Sequence, residues 1–315
     1  MQTDSISLNK HTATAKEYDF SHATNLFLLH SNMESATELM LPKNAERIEL
    51  YETKLPAKEY NLGGVKNLRF SGTTINPNAS LILPKNADNI ILYRVNVLPS
   101  GVYNLSNVNN LCIAFVDMSL IQKIILPANA KNIDLGGVTL PVGEYVLNNV
   151  NQLQFTDTDI SLATNLIFPK NAEKIYLYKT KMPTGAYDFS NVQNLHLHDI
   201  NLSEATQVIL PQKANKIVLH NTQLPTGEYN LSNVEDLIII DSDLSNVKKL
   251  ILPQNAKTMT LIDTKIPADD YDFGNIKNLN MSNVNLNKAS DKTTKEKDYN
   301  TIQQWFKKQF SIHGK

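Results

Sequence analysis

The segment Ala214-Asn215-Lys216-Ile217-Val218-Leu219-His220-Asn221-Thr222-Gln223-Leu224-Pro225 repeats the frame of Ala45-Glu46-Arg47-Ile48-Glu49-Leu50-Tyr51-Glu52-Thr53-Lys54-Leu55-Pro56. The shared frame is Ala-x-x-Ile-x-Leu-x-x-Thr-x-Leu-Pro. Its Ile-x-Leu centre alternates apolar and variable residues with period 2, the pattern of a half-buried strand. Proline ends such a strand because it has no N–H to give to a ladder.

Beyond these two copies, Leu41-Pro42, Leu83-Pro84, Leu126-Pro127, Phe168-Pro169, Leu210-Pro211 and Leu252-Pro253 stand 42 or 43 residues apart. A second series keeps the same beat: Leu55-Pro56, Leu98-Pro99, Leu140-Pro141, Met182-Pro183, Leu224-Pro225 and Ile266-Pro267. A third is aromatic, with Tyr18, Tyr60, Tyr103, Tyr145, Tyr187, Tyr229 and Tyr271. Three series in phase define an array of repeats rather than a set of ordinary domains.

Each 42-residue unit divides into two rungs of about 21 residues, because apolar-x-apolar occurs twice per unit. One kind is Ile48-x-Leu50, Ile90-x-Leu92, Ile133-x-Leu135, Ile175-x-Leu177, Ile217-x-Leu219 and Met259-x-Leu261. The other is Leu26-x-Leu28, Leu68-x-Phe70, Leu111-x-Ile113, Leu153-x-Phe155, Leu195-x-Leu197, Leu237-x-Ile239 and Leu279-x-Met281, giving thirteen rungs in all. In Leu224-Pro225-Thr226-Gly227 the places of Pro and Gly suit a type I turn. No rung buries its own apolar face, so the expected fold is a β-rich solenoid, stacked at about 4.8 Å per rung into a rod roughly 60 Å long.

The expected organisation is an N-terminal cap and partial first repeat at 1–24, the solenoid at 25–286, and a C-terminal segment at 287–315. In that last segment Tyr299, Ile302, Trp305, Phe306 and Phe310 share one helical face. Thr293 with Glu296 suits a capping box. The expectation is a capping helix on the last rung, with a basic amphipathic helix using Lys307 and Lys308 as the alternative.

Composition narrows the function classes. The 315 residues are 42% hydrophobic and 19% charged, which is core-forming material rather than a disordered chain. A net charge of −1 supplies no bulk attraction to nucleic acid. The single cysteine, Cys112, excludes an intramolecular disulfide framework and a cysteine-based zinc cluster. Residues Met1 to Phe20 are polar, and no apolar run approaches the roughly 18 residues needed to span a bilayer. The expectation is a soluble, monomeric chain with no cofactor and no resident metal.

The Ala-x-x-Ile-x-Leu-x-x-Thr-x-Leu-Pro frame resembles the leucine-rich repeat, whose strand segment is LxxLxLxxNxL. Leu166-Ile167-Phe168-Pro169 leading to Ile175, followed by Gly185-x-Tyr187-x-Phe189-x-x-Val192-x-x-Leu195, is similar to the BspA-like bacterial subclass. The resemblance covers residues 15 to 286. The ladder asparagine is replaced by Thr53, Thr180, Thr222 and Thr264 in one rung type, and by a shifted Asn32, Asp117, Asp159, Asn201, Asp243 or Asn285 in the other. A right-handed β-helix is therefore the alternative cross-section. These polar columns read as hydrogen bonds to turn backbone. The resemblance implies a bacterial binding module, such as a secreted effector or a surface adhesin; a cytoplasmic protein is the alternative setting.

Residues between and just after the apolar strand positions point outward. Along the rod they form one contiguous aromatic and apolar run, Tyr176, Tyr178, His196, His198, Val218, His220, Ile238 and Ile240, the candidate partner-binding patch. His198 and His220 fall on adjacent strands about 5 Å apart, with His196 and Asp199 close by, which is also a spacing for zinc. The rival class is a carbohydrate-binding or carbohydrate-active β-helix using Asp157, Asp199 and Asp241. Each of those belongs to a repeat column, and no phosphate loop, HExxH or nucleophile elbow is present. The expectation is a non-catalytic protein-binding module with no catalytic residues.

Overall fold

The computed structural model describes residues 4–14 and 16–285. They form a parallel β-solenoid. Fourteen strands run side by side in one sheet in chain order, from Ser5–Asn9 to Asn278–Val284, every pair parallel. All thirteen apolar-x-apolar segments lie in it, together with Ser5–Asn9, which pairs with Asn25–Leu29. The first full rung therefore begins inside 1–24, a stretch expected to hold only a cap and a partial repeat; its Ile6-x-Leu8 is the signal. The opposite side of the rod is made of short strands joined in six two-stranded sheets, such as Glu228–Asn230 with Lys249–Ile251, and a seventh pair, Lys54–Leu55 with Thr74–Ile75, lies just past the first corner. No helix occurs among the described residues, and the capping helix expected at 287–315 lies outside them.

Register resolves the average rung length into two values. Successive pairings such as Asn25↔Arg47 and Arg47↔Asn67 advance by 22 and 20 residues in alternation. One step breaks the rule: Asn89↔Asn110 advances by 21. The extra residue falls near Val95-Asn96, where Asn96 Oδ1 accepts from the Ile75 N–H at 2.7 Å and Asn96 Nδ2 donates to the Ile75 carbonyl at 3.0 Å. A side-chain amide thus replaces the backbone pairing that the insertion disturbs.

The cross-section follows from five columns. The apolar strand positions form the core: Leu26, Leu28, Ile48, Leu50, Leu195, Leu197, Ile217 and Leu219 have no measurable exposure, and only those of the two terminal strands, Ile6, Leu8, Leu279 and Met281, are partly buried. Five residues after each strand begins, the chain turns a corner at positive φ, for example Glu52 at 45°, Asp157 at 48°, Asp199 at 53° and Asp241 at 50°. Asp, Asn and Gly fill most of these corners because they tolerate the left-handed region best. One position further in, buried Ser or Thr hydroxyls donate back across the turn. Thr53 Oγ1 reaches the Leu28 carbonyl at 2.7 Å, and Thr222 Oγ1 reaches that of Leu197 at 3.0 Å. Val95, Val116 and Val138 occupy the same column with the same shape and no hydroxyl.

The tyrosine series closes the second corner. Tyr103 donates its hydroxyl to the Pro99 carbonyl at 2.7 Å and Tyr229 to that of Pro225 at 2.8 Å; Tyr187 does the same with Pro183. Shifted Asp and Asn residues cap the next loop, as in Asp159 Oδ1 accepting from the Ser161 N–H at 3.1 Å and Asn201 Oδ1 from the Ser203 N–H at 2.9 Å. The shifted Asp and Asn column therefore bonds to turn backbone, as its residue types imply, whereas the Thr column departs from that expectation and donates to carbonyls of strand residues such as Leu28 and Leu197. Among the described residues, no helix is long and apolar enough to cross a membrane.

Candidate functional site

The eight residues of the expected patch come from four adjacent strands, Lys174–Tyr178, Asn194–His198, Lys216–His220 and Asp236–Ile240. Their register aligns them in two rows: Tyr176, His196, Val218 and Ile238 in one, and Tyr178, His198, His220 and Ile240 in the other. The sheet thus brings together all eight. Tyr176 and His196 have ring centroids 5.7 Å apart, Tyr178 meets His198 edge-on at 4.8 Å, and His198 lies 4.0 Å from His220. Lys174 and Lys179 place their ammonium groups 5.7 and 5.1 Å from the Tyr176 and Tyr178 ring centres.

Outward direction does not make all eight accessible. Val218 is 1% exposed, Ile240 2% and His198 7%, whereas the other five are half-buried. The expectation of a uniformly exposed patch fails at those three. Parallel strands about 4.8 Å apart press large side chains of one row against each other, so a small residue flanked by rings is shielded. Burial drives protons off the imidazoles: His196 is lowered to about 3 and His198 to about 4, with His220 lowered as well. All three rings are neutral at pH 7, a form that exposes nitrogen lone pairs.

One carboxylate meets each of two histidines. Asp199 Oδ2 lies 3.2 Å from His198 Nδ1, and Asp241 Oδ2 lies 3.3 Å from His220 Nε2. Asn221 Nδ2 donates to Asp199 Oδ1 at 2.7 Å and fixes that carboxylate. Among the described residues, His198, Asp199 and His220 form the one group of three potential metal ligands, each offering a donor atom within 4.8 Å of the others. Asp157, Asp199 and Asp241 all occupy left-handed corners, which accounts for their recurrence without chemistry.

A further surface escaped the sequence reading. Met40, Ile82, Ile167 and Ile209 are 46, 46, 41 and 38% exposed and form a column along the short-strand side. Its signal is the fixed Ile or Met just before each first-series Leu-Pro or Phe-Pro. Beside Ile209 a groove of about 920 Å³ is lined by Thr206, Gln212, Gly227, Asn230 and Asn233. It is a polar cleft whose lining includes none of the histidines. Cys112 is a free, half-buried thiol whose pKa burial pushes up to about 12.

The fold and these surfaces define the chain as a parallel β-solenoid with one non-repeating aromatic and histidine-rich face. No family model matches it, nor does any curated protein.

Proposed function

We propose that the chain is a non-catalytic, monomeric protein-binding module, a leucine-rich-repeat-like solenoid of the kind used by bacterial secreted effectors and surface adhesins to engage host proteins. The supporting observation is a contrast within one sheet. Inward positions repeat from end to end, whereas outward positions converge on Tyr, His and Ile over the four strands from Lys174 to Ile240. Tyr176 and Tyr178 are the half-buried aromatic anchors, and aromatic anchors dominate many protein interfaces. Val218 and Ile240 lie in the same rows, next to His196 and His220 respectively.

The exposed column of Met40, Ile82, Ile167 and Ile209 favours a second reading, in which a partner lies along the short-strand side. The two faces are separable by mutation. A Tyr176→Ser, Tyr178→Ser, Ile238→Ser variant is expected to lose the partner captured by the wild-type chain, whereas an Ile82→Ser, Ile167→Ser, Ile209→Ser variant retains it. The opposite result assigns binding to the short-strand side, and loss in neither variant refutes both faces.

A further inference from the structure

We propose that His198, Asp199 and His220 form a binding site for a divalent transition-metal ion, with zinc as its natural occupant. The register sets the two histidines directly opposite each other on adjacent parallel strands. Their ring centroids are 4.0 Å apart with the planes tilted by 34°, so the two imidazoles lie beside one another on one face of the sheet. The third donor depends on the backbone. Asp199 sits in the left-handed corner at φ 53°, which turns the chain so that its carboxylate comes back to within 3.2 Å of its neighbour's ring.

Distance decides whether this set suits a metal. The three donor atoms lie within 4.8 Å of one another. A tetrahedral zinc ion bonded at about 2.0–2.1 Å sets its donors roughly 3.3–3.4 Å apart. Metal binding therefore requires the donors to close by up to about 1.5 Å. Two imidazoles and one carboxylate suit zinc, cobalt, nickel or copper; calcium and magnesium prefer all-oxygen sites.

The supporting groups have the arrangement of an outer coordination sphere. Asn221 holds Asp199 Oδ1 at 2.7 Å, leaving Oδ2 on the histidine side. Asp241 holds His220 Nε2 at 3.3 Å, the carboxylate–histidine contact that fixes tautomer and ring orientation in metal sites. The combination is confined to one place in the repeat. At the same outward strand position the other described rungs carry Asn9, Leu29, Tyr51, Ser71, Tyr93, Ala114, Gly136, Thr156, Tyr178, Ile240, Ile262 or Ser282, so no other pair of neighbouring rungs carries two imidazoles there.

The proposal is independent of partner binding, so its test uses the chain alone. The untagged full chain, stripped with a chelator, is titrated with zinc chloride by isothermal calorimetry, and with cobalt(II) while the visible absorption of the metal is followed. One zinc per chain is expected, with tetrahedral cobalt bands. The His198→Gln, His220→Gln double variant is expected to lose that stoichiometry and those bands. Asp241→Asn is expected to weaken binding ten- to hundredfold. His30→Ala, remote from the cluster, is expected to bind as wild type. Circular dichroism and thermal melting verify that each variant is folded; if the double variant does not fold, Asp199→Asn and Asp241→Asn decide the matter through affinity and the cobalt spectrum. Absence of saturable zinc binding by the wild-type chain would overturn the site, as would an unchanged zinc stoichiometry in the folded double variant. If only the two Asp variants can be read, unchanged affinity and spectra in both overturn it.

Discussion

The tyrosine column makes the solenoid sensitive to alkali, and Tyr229→Phe isolates the effect. Tyr229 is 3% exposed and its hydroxyl donates to the Pro225 carbonyl at 2.8 Å. Burial raises its pKa from 10.0 to about 12. A phenol with a higher pKa in the folded chain contributes stability that is complete below pH 10 and lost as pH rises through 10 to 12, because the unfolded chain gives up the proton first. At pH 11 the loss is about one pK unit, or about 1.4 kcal/mol for this one side chain. Tyr103, Tyr145 and Tyr187 share the shift to about 12 and the same bond geometry, so the wild-type chain loses several such increments together. Phenylalanine removes one hydrogen bond, costing about 1 kcal/mol at pH 7. It also removes one ionisation. The penalty of Tyr229→Phe, measured by urea denaturation at each pH, is therefore expected near 1 kcal/mol at pH 7 and near zero or reversed at pH 11. An equal penalty at both pH values would refute the reasoning, as would tyrosinate absorbance showing Tyr229 ionised near pH 10 in the folded chain.

Two other substitutions test the corners. Thr222→Val keeps the shape already present at Val95, Val116 and Val138 and removes only the hydroxyl shared between the Leu197 and His220 carbonyls, so urea denaturation is expected to show a loss of about 1 kcal/mol. Thr222→Ala is expected to cost about 1 kcal/mol more, through the lost methyl group. Gly137 has φ 57°, and a Cβ there would stand 2.7 Å from Phe115 Cδ1, so Gly137→Ala is expected to destabilise by about 1–3 kcal/mol. A neutral thermal melt for that variant would contradict the left-handed corner.

The strands were legible because Ile-x-Leu alternation and the Leu-Pro stops are local and repeated on every rung; all thirteen such segments lie in the sheet. The Ser5–Asn9 rung was missed because Ala13-Thr14 stands where the other rungs of its kind carry Leu-Pro or its equivalent, although Tyr18 keeps the tyrosine beat. The Asp and Asn column was legible as turn chemistry, whereas the Thr column bonds to strand carbonyls one rung back, a partner that the local sequence does not specify. The alternation of 20- and 22-residue steps was hidden by the 42-residue period, which is their sum. For the candidate site, membership of one face followed from the period of 2. Accessibility did not, because shielding of Val218 and Ile240 depends on neighbours one rung away on adjacent strands. Asp241 beside His220 and Asn221 beside Asp199 also depend on corner geometry, which the strand pattern does not specify.

Hydroxyl-radical footprinting by mass spectrometry, with and without a captured partner, tests the binding face most directly. Protection is expected at Tyr176, Tyr178 and His196, with Met40, Ile82, Ile167 and Ile209 oxidised as in the unbound chain. Protection confined to that Met and Ile column, with the tyrosines unchanged, would contradict the assignment.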